Sequence, residues 1–417
     1  MGTAASAETT CPDNRQAQPS RRDFIRRSAA LTASLSVLPA GAVRGAAANS
    51  RIEVGIVGQG GRGGLIADII ADKHKGLQLV ALADYFPDVV QAAGERLKVD
   101  AKRCFHGLDG YRRLLASKVD AVLLETPPCF FPDHASAAVE AGVHVYMAKP
   151  VAVDVPGCRG IAEMGKLAAQ KSRVFLVDFQ VPTEDLNIEV VRRCKDGLIG
   201  PLGLLSSFYC DESFPDPARS ATIEDRLRGL VWVNDTEIGG DYLVNAGIHA
   251  VDAALWLAGA VPVSASGATR IVRPDPHGNS PDIVSVTYRF ADGLIMNHQG
   301  EHLRNTHGFA CSCTAYGRDG YAMVNYEGSA FVRGNKGGFR GGDVTNLYVN
   351  GISRNLDKFE ACIRQGRFEN ETVASGVNST LTTILGREAA RKNTVLTWEQ
   401  LMQEDLRIEP DLTGLKV

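Results

Sequence analysis

The sequence predicts an α/β protein of two domains, and three observations carry that prediction. An apolar strand leads directly into a glycine-rich turn near residue 60. Apolar strands then alternate with amphipathic helices as far as Pro150, as parallel βαβ units do. Beyond Gly200 the pattern changes to short alternating strands, which is typical of an antiparallel sheet. We therefore expect an N-terminal Rossmann dinucleotide-binding domain at residues 49–175, and a C-terminal α/β domain with a large, mostly antiparallel open sheet at residues 176–417.

The first 48 residues have the features of an export signal. A twin-arginine motif, Ser-Arg-Arg-Asp-Phe-Ile at residues 20–25, precedes an apolar stretch from Ala29 to Val43 and small residues up to Ala48. This stretch is too short, and too rich in Ala and Ser, to predict a membrane span. We expect the twin-arginine export machinery to carry the folded chain to the periplasm, with no membrane contact after signal cleavage.

Composition and charge argue against two classes of partner. The 417-residue chain has 44% hydrophobic and 22% charged residues, as ordinary soluble proteins have, and a formal net charge of -3. It contains neither a basic stripe nor a basic amphipathic helix. We therefore expect binding neither to nucleic acid nor to a membrane surface.

Cysteine spacing favours buried thiols over disulfides, because the cysteines after the signal are scattered through a large protein. No CxxC pair occurs, and Cys311-x-Cys313 has no partner pair at zinc-site spacing, so the sequence predicts no metal site. The eight residues are Cys104, Cys129, Cys158, Cys194, Cys210, Cys311, Cys313 and Cys362.

The periodicity of the first domain orders its elements. Buried strands are predicted at residues 54–57, 77–84, 121–126, 144–147 and 174–177. Helices are predicted at residues 65–71, 87–97, 132–141, 154–170 and 183–196.

The second domain shows the signals of hairpins. Residues 286–290 alternate and turn through Ala-Asp-Gly, and residues 322–333 predict another hairpin. The glycine-dense segment 334–342 is expected to be a mobile loop, with a lid as one role. A helix is predicted at residues 353–365, and a capping box at residues 397–400 starts a last short helix.

The glycine spacing suits a dinucleotide. Gly58 permits the tight turn, Gly60 lets a pyrophosphate approach the backbone, and Gly63 lets the next helix pack closely. The N-terminal N–H groups of that helix then point at the phosphates. The remaining residues of this predicted cofactor loop are Gln59, Gly61 and Arg62.

Asp84, at the end of the second strand, favours NAD as the cofactor. A carboxylate there accepts hydrogen bonds from the adenosine ribose hydroxyls and repels a 2′-phosphate. Arg62 could pair with such a phosphate, which keeps NADP open as an alternative.

Three further stretches resemble the Gfo/Idh/MocA family of oxidoreductases, over nearly the whole chain after the signal. Thr-Pro-Pro at residues 126–128, with His134, is similar to the family's cofactor loop after its fourth strand. Ala-Lys-Pro at residues 148–150 stands where the family has Glu-Lys-Pro. A glycine-rich segment at residues 239–252 ends in Asn-Ala-Gly-Ile-His-Ala-Val-Asp, in place of the family's Asp-x-Gly-x-His-x-x-Asp. By this resemblance, four residues contact the cofactor: Thr126, Pro127, His134 and Lys149.

The resemblance also implies that Lys149 and His249 are catalytic and lie beside the nicotinamide. Hydride leaves a carbinol carbon only if the hydroxyl proton goes to a base, and His249 has a suitable ordinary pKa. Lys149 would steady the alkoxide, or act as the base if its own pKa is depressed. The alternatives are a core histidine and a solvated lysine.

Two departures from the family pattern suggest a thinner proton relay. Ala148 replaces the family's Glu, so that Lys149 loses a charge partner. Asn245 replaces an Asp and can orient a sugar hydroxyl but cannot ionise. Gln180 lies in a segment that lacks the family's usual Arg.

The candidate substrate contacts are chosen for their chemistry. Trp232 could stack on a pyranose face, and it could equally belong to the core. Weaker candidates are Asp241, Glu301 and His302. The predicted substrate residues are Asn245, Tyr242, Trp232 and Gln180.

The compartment restricts the function, because a periplasmic protein has no free nicotinamide pool to exchange with. We expect hydride transfer between a tightly bound cofactor and a sugar or cyclitol hydroxyl, with one substrate oxidised and another reduced. The second hypothesis is redox-neutral glycoside cleavage by oxidation and elimination, with Tyr242 as one conceivable extra base. The third is a catalytically decayed nucleotide- or sugar-binding protein. The resemblance also implies a homo-oligomer, either a dimer or a tetramer.

Overall fold

The computed structural model describes residues 51–219, 222–369 and 371–417. The predicted export signal at residues 1–48 lies outside the described residues. Among the described helices, not one is both long and apolar enough to cross a bilayer.

The first domain contains a six-stranded parallel sheet in the order β3-β2-β1-β4-β5-β6. This is the doubly wound Rossmann order, so the prediction for the first domain is confirmed. The inner strands are buried because helices cover both faces of the sheet. The strands are β1 (Ile52–Val57), β2 (Leu77–Asp84), β3 (Cys104–His106), β4 (Ala121–Leu124), β5 (His144–Ala148) and β6 (Phe175–Asp178).

The helices of this domain follow the strands as βαβ units require. The first begins at Gly61, four residues before the predicted start, because the glycine turn itself forms its N-terminus. The helices are α1 (Gly61–Asp72), α2 (Pro87–Leu97), α3 (Gly110–Ala116), α4 (Phe131–Glu140) and α5 (Val155–Gln170).

The second domain is built on a nine-stranded sheet in the order β14-β13-β12-β11-β7-β10-β9-β8-β15. Among the described pairings of this second sheet only β7–β10 is parallel, so the predicted mostly antiparallel sheet is confirmed. The strands are β7 (Leu202–Asp211), β8 (Ser264–Arg270), β9 (Ile283–Arg289), β10 (Ile295–His302), β11 (Ala310–Gly317), β12 (Gly320–Asn325), β13 (Gly328–Gly334), β14 (Gly337–Val344) and β15 (Leu396–Thr397).

Helices cover one face of this sheet, and one of them crosses to the first domain. Ile352, Leu356 and Phe359 of the long helix α10 share a buried cluster with the Rossmann strands and helix α1. The helices are α6 (Asp185–Lys195), α7 (Ile223–Leu227), α8 (Thr236–Gly239), α9 (Ile248–Ala258), α10 (Leu347–Gln365), α11 (Thr372–Lys392) and α12 (Trp398–Glu404). A π-helical turn, Leu243–Gly247, leads directly into α9.

Two expectations about this region need correction. The segment 334–342 is not a loop: Gly334 pairs with Gly337 across a two-residue turn, and strand β14 continues to Val344. The strand was not predicted because glycine has no side chain, so the segment shows no alternation of apolar and polar residues. The domain boundary expected at residue 175 falls at the start of β6, and the parallel sheet continues to Asp178.

The cysteines and the last capping box behave as expected. The eight described cysteines are free thiols, and all but Cys104 and Cys129 are buried. Thr397 and Gln400 form a reciprocal capping box at the start of α12.

Candidate active site

The glycine turn has the shape that a dinucleotide needs. Gly58 has a φ of +95°, and a Cβ there would lie 2.6 Å from the Glu125 carbonyl oxygen. At Gly63 a Cβ would lie 2.0 Å from the Gly58 carbonyl oxygen, so only glycine lets α1 pack this closely. Around Gly60, by contrast, a Cβ would meet no atom within 4 Å. That open space at the helix N-terminus is where a pyrophosphate fits.

Asp84 ends β2 beside this turn and is held by the backbone. Its Oδ2 accepts a hydrogen bond from the Gln59 N–H (2.7 Å), and its Oδ1 accepts one from the Phe86 N–H (3.0 Å). A carboxylate has about four acceptor positions, so two remain for ribose hydroxyls. Burial raises the pKa of Asp84, although these N–H groups oppose the shift.

A cleft open to solvent runs past these groups. Gly60, Gly61, Arg62 and Asp84 line it on one side, and both domains contribute to the rest of the wall. From the first domain come Thr126, Pro127, Phe130 and His134, and from the second come Leu227, Arg228, Leu230 and Trp232. The glycine turn and the Asp84 carboxylate in this lining fit the diphosphate and the ribose of a dinucleotide.

His134 has a packing role in this wall. Its Nδ1 lies 3.1 Å from the Thr126 hydroxyl, and its ring stacks on Phe130. Burial, helped by Arg112, lowers its pKa to about 3, so that the ring is neutral.

The ends of three neighbouring strands place two acids and a cation together. Ala148 pairs with Asp178 across β5 and β6, and Glu125 directly follows β4 on the other side. Arg62 from the glycine turn forms ion pairs with both acids, at 3.5 Å from Nε to the Glu125 carboxylate. Burial raises the pKa of Glu125 to about 8, against the opposing effect of Arg62. The carboxylate missing at residue 148 is thus replaced by acids on both flanking strands.

Lys149 follows directly on β5, within electrostatic range of this cluster. Its Nζ donates a hydrogen bond to the backbone carbonyl of Asn245 in the π-helical turn (2.5 Å). Such turns are frequent at functional sites. Burial, with the positive charge of Arg62, lowers the pKa of Lys149 to about 7, and Asp178 opposes the shift. A lysine with this pKa is partly a neutral amine at pH 7.

His249 lies in the first turn of helix α9, within electrostatic range of Lys149. It is 8% exposed, its Nδ1 has no hydrogen-bond partner among the described residues, and the rings of Phe179 and Tyr326 meet it edge-on. Burial, with the charge of Lys149, lowers its pKa well below the ordinary value. The imidazole is therefore neutral and carries an unused polar atom, as a ligand-binding histidine would.

Asn245 and Gln180 differ in how free their side chains are. Within the described part of the chain the Asn245 amide group makes no hydrogen bond, so it remains available to a ligand. Gln180 is buried, donates to Asp178 (2.7 Å) and accepts from the Tyr326 hydroxyl (3.3 Å). Both of its polar groups are thus bound within the protein, which suits positioning better than substrate contact.

An aromatic wall lines the inner face of the second sheet next to His249. The ring of Phe309 packs against Tyr326 and Tyr209, and Tyr209 in turn stacks on His302 (5.5 Å between centroids). His302 also stacks on Tyr242 at 4.1 Å.

The structure separates the remaining sequence candidates. The Tyr242 hydroxyl accepts a hydrogen bond from the Phe214 N–H (2.7 Å), and burial raises the pKa of Tyr242 to about 12. Asp241 caps the π-helical turn through the Val244 N–H. Trp232 packs beside Phe86 at the Asp84 end of the cleft. Glu301 interacts with Asn305 and His307 on the loop after β10.

Sequence reasoning missed Asp178, Glu125 and Tyr326. Their signal was position: both acids stand where buried parallel strands end, at the edge where doubly wound sheets bind ligands. Tyr326 carried no such signal, because it reaches His249 from the turn after β12.

A Rossmann cleft for NAD, a lysine with a lowered pKa and a neutral histidine define an NAD-dependent oxidoreductase. The chain belongs to the Gfo/Idh/MocA family. The family model described as "Oxidoreductase family, NAD-binding Rossmann fold" matches residues 52–179, and the "GFO/IDH/MocA C-terminal domain" matches residues 189–323.

Individual relatives are distant but extensive. Inositol 2-dehydrogenase 4 of Saccharopolyspora erythraea is 25% identical over 334 residues, 79% of this chain and 90% of that protein. The 2,7-anhydro-N-acetylneuraminate hydratase of Mediterraneibacter gnavus is 26% identical over 239 residues, 57% of this chain and 58% of that protein. The crystal structure of the aldose-aldose oxidoreductase of Caulobacter crescentus, complexed with glycerol, superposes with a TM-score of 0.68 at 20% identity. That match covers 83% of this chain and 99% of that chain.

Proposed function

We propose that this chain is a periplasmic oxidoreductase that transfers hydride between a tightly held NAD and a hydroxyl group of a sugar or cyclitol. The observation that carries the proposal is Lys149. Its amine, with a pKa of about 7, hydrogen-bonds the π-helical turn and lies within electrostatic range of Arg62 and Glu125, which line the cleft. Relatives named for inositol and aldoses support the substrate class.

The chain's own residues move and hold the proton. NAD, when bound in the cleft, supplies the hydride acceptor and donor. Lys149 in its neutral form takes the proton from the substrate hydroxyl, and Asp178 stabilises the resulting positive charge. His249 stays neutral and hydrogen-bonds the reacting oxygen through an imidazole nitrogen. The Asn245 amide orients a neighbouring hydroxyl.

The aromatic wall fits the proposed substrate class. Tyr209, Phe309 and Tyr326 surround the site with ring faces and edges. Such rings pack against the C–H faces of a pyranose or cyclitol, and they keep bulk water away from the reacting carbon.

Retention of the cofactor is supported by a clamp made of residues 227–232 and 412–416. The Arg228 guanidinium lies 4.1 Å from the centre of the Phe86 ring and pairs with Asp88. Leu415 packs on the buried cluster that contains Phe86. The Lys416 N–H donates a hydrogen bond to the Tyr85 hydroxyl, and the Lys416 carbonyl accepts one from the Leu108 N–H. Residues 227–232 thus line the Asp84 end of the cleft, and residues 412–416 hold its wall residues Tyr85 and Leu108 in place. A cofactor held in this way is recycled on the protein, by oxidation of one sugar and reduction of another.

The experiment begins with protein isolated from the periplasm. Mass spectrometry of the material released on denaturation should detect NAD. The absorbance of reduced nicotinamide should then rise with one added sugar and fall with a second. A Lys149→Arg variant should carry the same NAD and fail to cycle. Protein that emerges empty and takes up neither cofactor contradicts the proposal.

A second candidate is redox-neutral cleavage by oxidation, elimination and re-reduction of one substrate. One relative is named a hydratase, which denotes a reaction without net oxidation, and this favours keeping the candidate. Tyr242 does not suit the role of the extra base, because its hydroxyl is already hydrogen-bonded and its pKa is raised to about 12. Release of a chromogenic leaving group without a second sugar would select this candidate.

We also propose that the protein is a homo-oligomer that uses the uncovered face of the second sheet. Tyr316 and Tyr321 stack on that face and are 44% and 41% exposed. Light scattering should give a mass of two or four chains, and a monomer would contradict this.

A further inference from the structure

Three metal-binding side chains meet on the second sheet. Cys210 of β7 and Glu301 of β10 are direct neighbours in the parallel pairing, and His307 belongs to the loop after β10. The Cys210 Sγ lies 3.1 Å from the His307 Nδ1, and that nitrogen lies 3.4 Å from the Glu301 Oε2. All three donor atoms lie within 4.8 Å of one another.

These distances suit one tetrahedral ion. Zinc takes sulfur at about 2.3 Å and nitrogen or oxygen at about 2.0–2.2 Å, so that its ligand atoms are separated by about 3.3–3.6 Å. A thiolate, an imidazole and a carboxylate together favour Zn²⁺ over Mg²⁺ or Ca²⁺, which prefer oxygen ligands.

The ligands are also oriented by a neighbour. The Asn305 side-chain amide donates a hydrogen bond to the Glu301 carboxylate. The Asn305 side-chain oxygen accepts one from the backbone N–H of His307 (3.1 Å). The ring of Phe208 packs beside His307 at 5.8 Å. Such support around the ligands is a regular feature of zinc sites.

We propose that Cys210, Glu301 and His307 bind one Zn²⁺ ion, with water as the fourth ligand. The ion would join the ends of β7 and β10 to the loop at residues 303–309. That loop carries Phe309 to the aromatic wall on the other face of the sheet. The role is structural, since the strands themselves separate the ion from the wall.

The test uses the full chain, freed of metal by chelator and then dialysed against dilute zinc. Elemental analysis should find about one zinc per chain. Cobalt(II) as a replacement should give a thiolate-to-metal absorption band that Cys210→Ser abolishes. His307→Gln should weaken zinc binding more than about 100-fold, and Asn305→Ala about 10- to 100-fold.

Cys104→Ser and His277→Gln are matched controls outside the cluster, and both should bind zinc like the parent chain. His307 is exposed, so His307→Gln keeps the measurement decisive even if Cys210→Ser fails to fold. The proposal is overturned if the folded parent chain binds no zinc, or if His307→Gln binds it as tightly as the parent. A thiol–imidazole hydrogen bond alone would produce that result.

Discussion

Lys149 shows how the surroundings of one side chain set its chemistry. A lysine side chain in water is protonated at pH 7, whereas burial and Arg62 lower the pKa of Lys149 to about 7. The acids at the flanking strand ends keep the shift from going further. The ordinary pKa of histidine favoured His249 as the base. In the structure the pKa of His249 lies well below that ordinary value, so its imidazole is neutral at pH 7.

The oxidation rate should therefore follow the ionisation of Lys149. A base acts in its deprotonated form, so we expect the rate to rise with pH through about 7 and then level off. Lys149→Arg, which stays protonated, should lower the rate about 10²- to 10⁴-fold. Steady-state rates across pH values measure both effects.

Asp178→Asn provides the companion variant. Asp178 raises the pKa of Lys149, so its removal should move the midpoint of the pH profile to lower pH. A midpoint that stays in place in Asp178→Asn would show that another group is titrating.

Asp84 should decide between the two cofactors. Its carboxylate faces the cleft, and the Arg228 guanidinium nearby is paired with Asp88. Asp84→Ser removes the repulsion of a 2′-phosphate, so the preference for NAD over NADP should fall. Binding titrations with both cofactors measure the ratio, and an unchanged ratio would exclude Asp84 as the determinant.

Helices and strands with a clear hydrophobic periodicity were predictable from the sequence. Those that depend on contacts with residues distant in the sequence were not. The glycine turn, Asp84 and the strands around them follow local rules of spacing and burial. Strand β3 has three residues and shows no period. Strand β14 is half glycine, and α10 begins at Leu347 instead of Ser353 because its first turns pack on Gln180 and its neighbours. Predicting that Glu125 and Asp178 lie together would have required knowing which strands are neighbours in the sheet.

Helix α5 offers a stability test at the scale of one element. Asp154 caps it through the Gly157 N–H (2.7 Å), and its other oxygen accepts from the Ile408 N–H (2.8 Å). Asp154→Ala should cost about 1–2 kcal/mol of unfolding free energy. Urea unfolding measures it. Arg159→Ala, which removes the exposed pair with Asp405 from the same helix, should cost less than about 1 kcal/mol.

The clamp can be weakened at one side chain. Arg228→Ala removes the cation over the Phe86 ring and should speed loss of NAD about two- to fivefold. Stopped-flow displacement measures the release rate. Arg318→Ala, at an exposed ion pair on the second sheet, is the control and should leave it unchanged. Equal release rates in the parent chain, Arg228→Ala and Arg318→Ala would show that the clamp does not retain NAD.

At the scale of the whole molecule, the tight packing of α11 on the second sheet supports the site. A Cβ at Gly386 would lie 2.0 Å from the hydroxyl of the fully buried Tyr288, and 3.3 Å from Leu243 in the π-helical turn. Gly386→Ala should therefore destabilise the fold by about 1–3 kcal/mol.

Gly160→Ala is the matched helical control for that variant. A Cβ at Gly160 in α5 meets nothing within 4 Å, so alanine there should stabilise the protein by about 0.5–1 kcal/mol. Thermal unfolding of both variants should give shifts of opposite sign. Stabilisation in both variants would mean that helix propensity and not packing governs Gly386.

The first domain receives some of its packing partners very late along the chain. Lys416 bonds Tyr85 across 331 residues, and Phe359 packs into the same apolar cluster as Ile52. A ribosome translating this message therefore releases the glycine turn and its strands long before these late packing partners. We therefore expect the first domain to reach its final packing only after residue 416 has been synthesised.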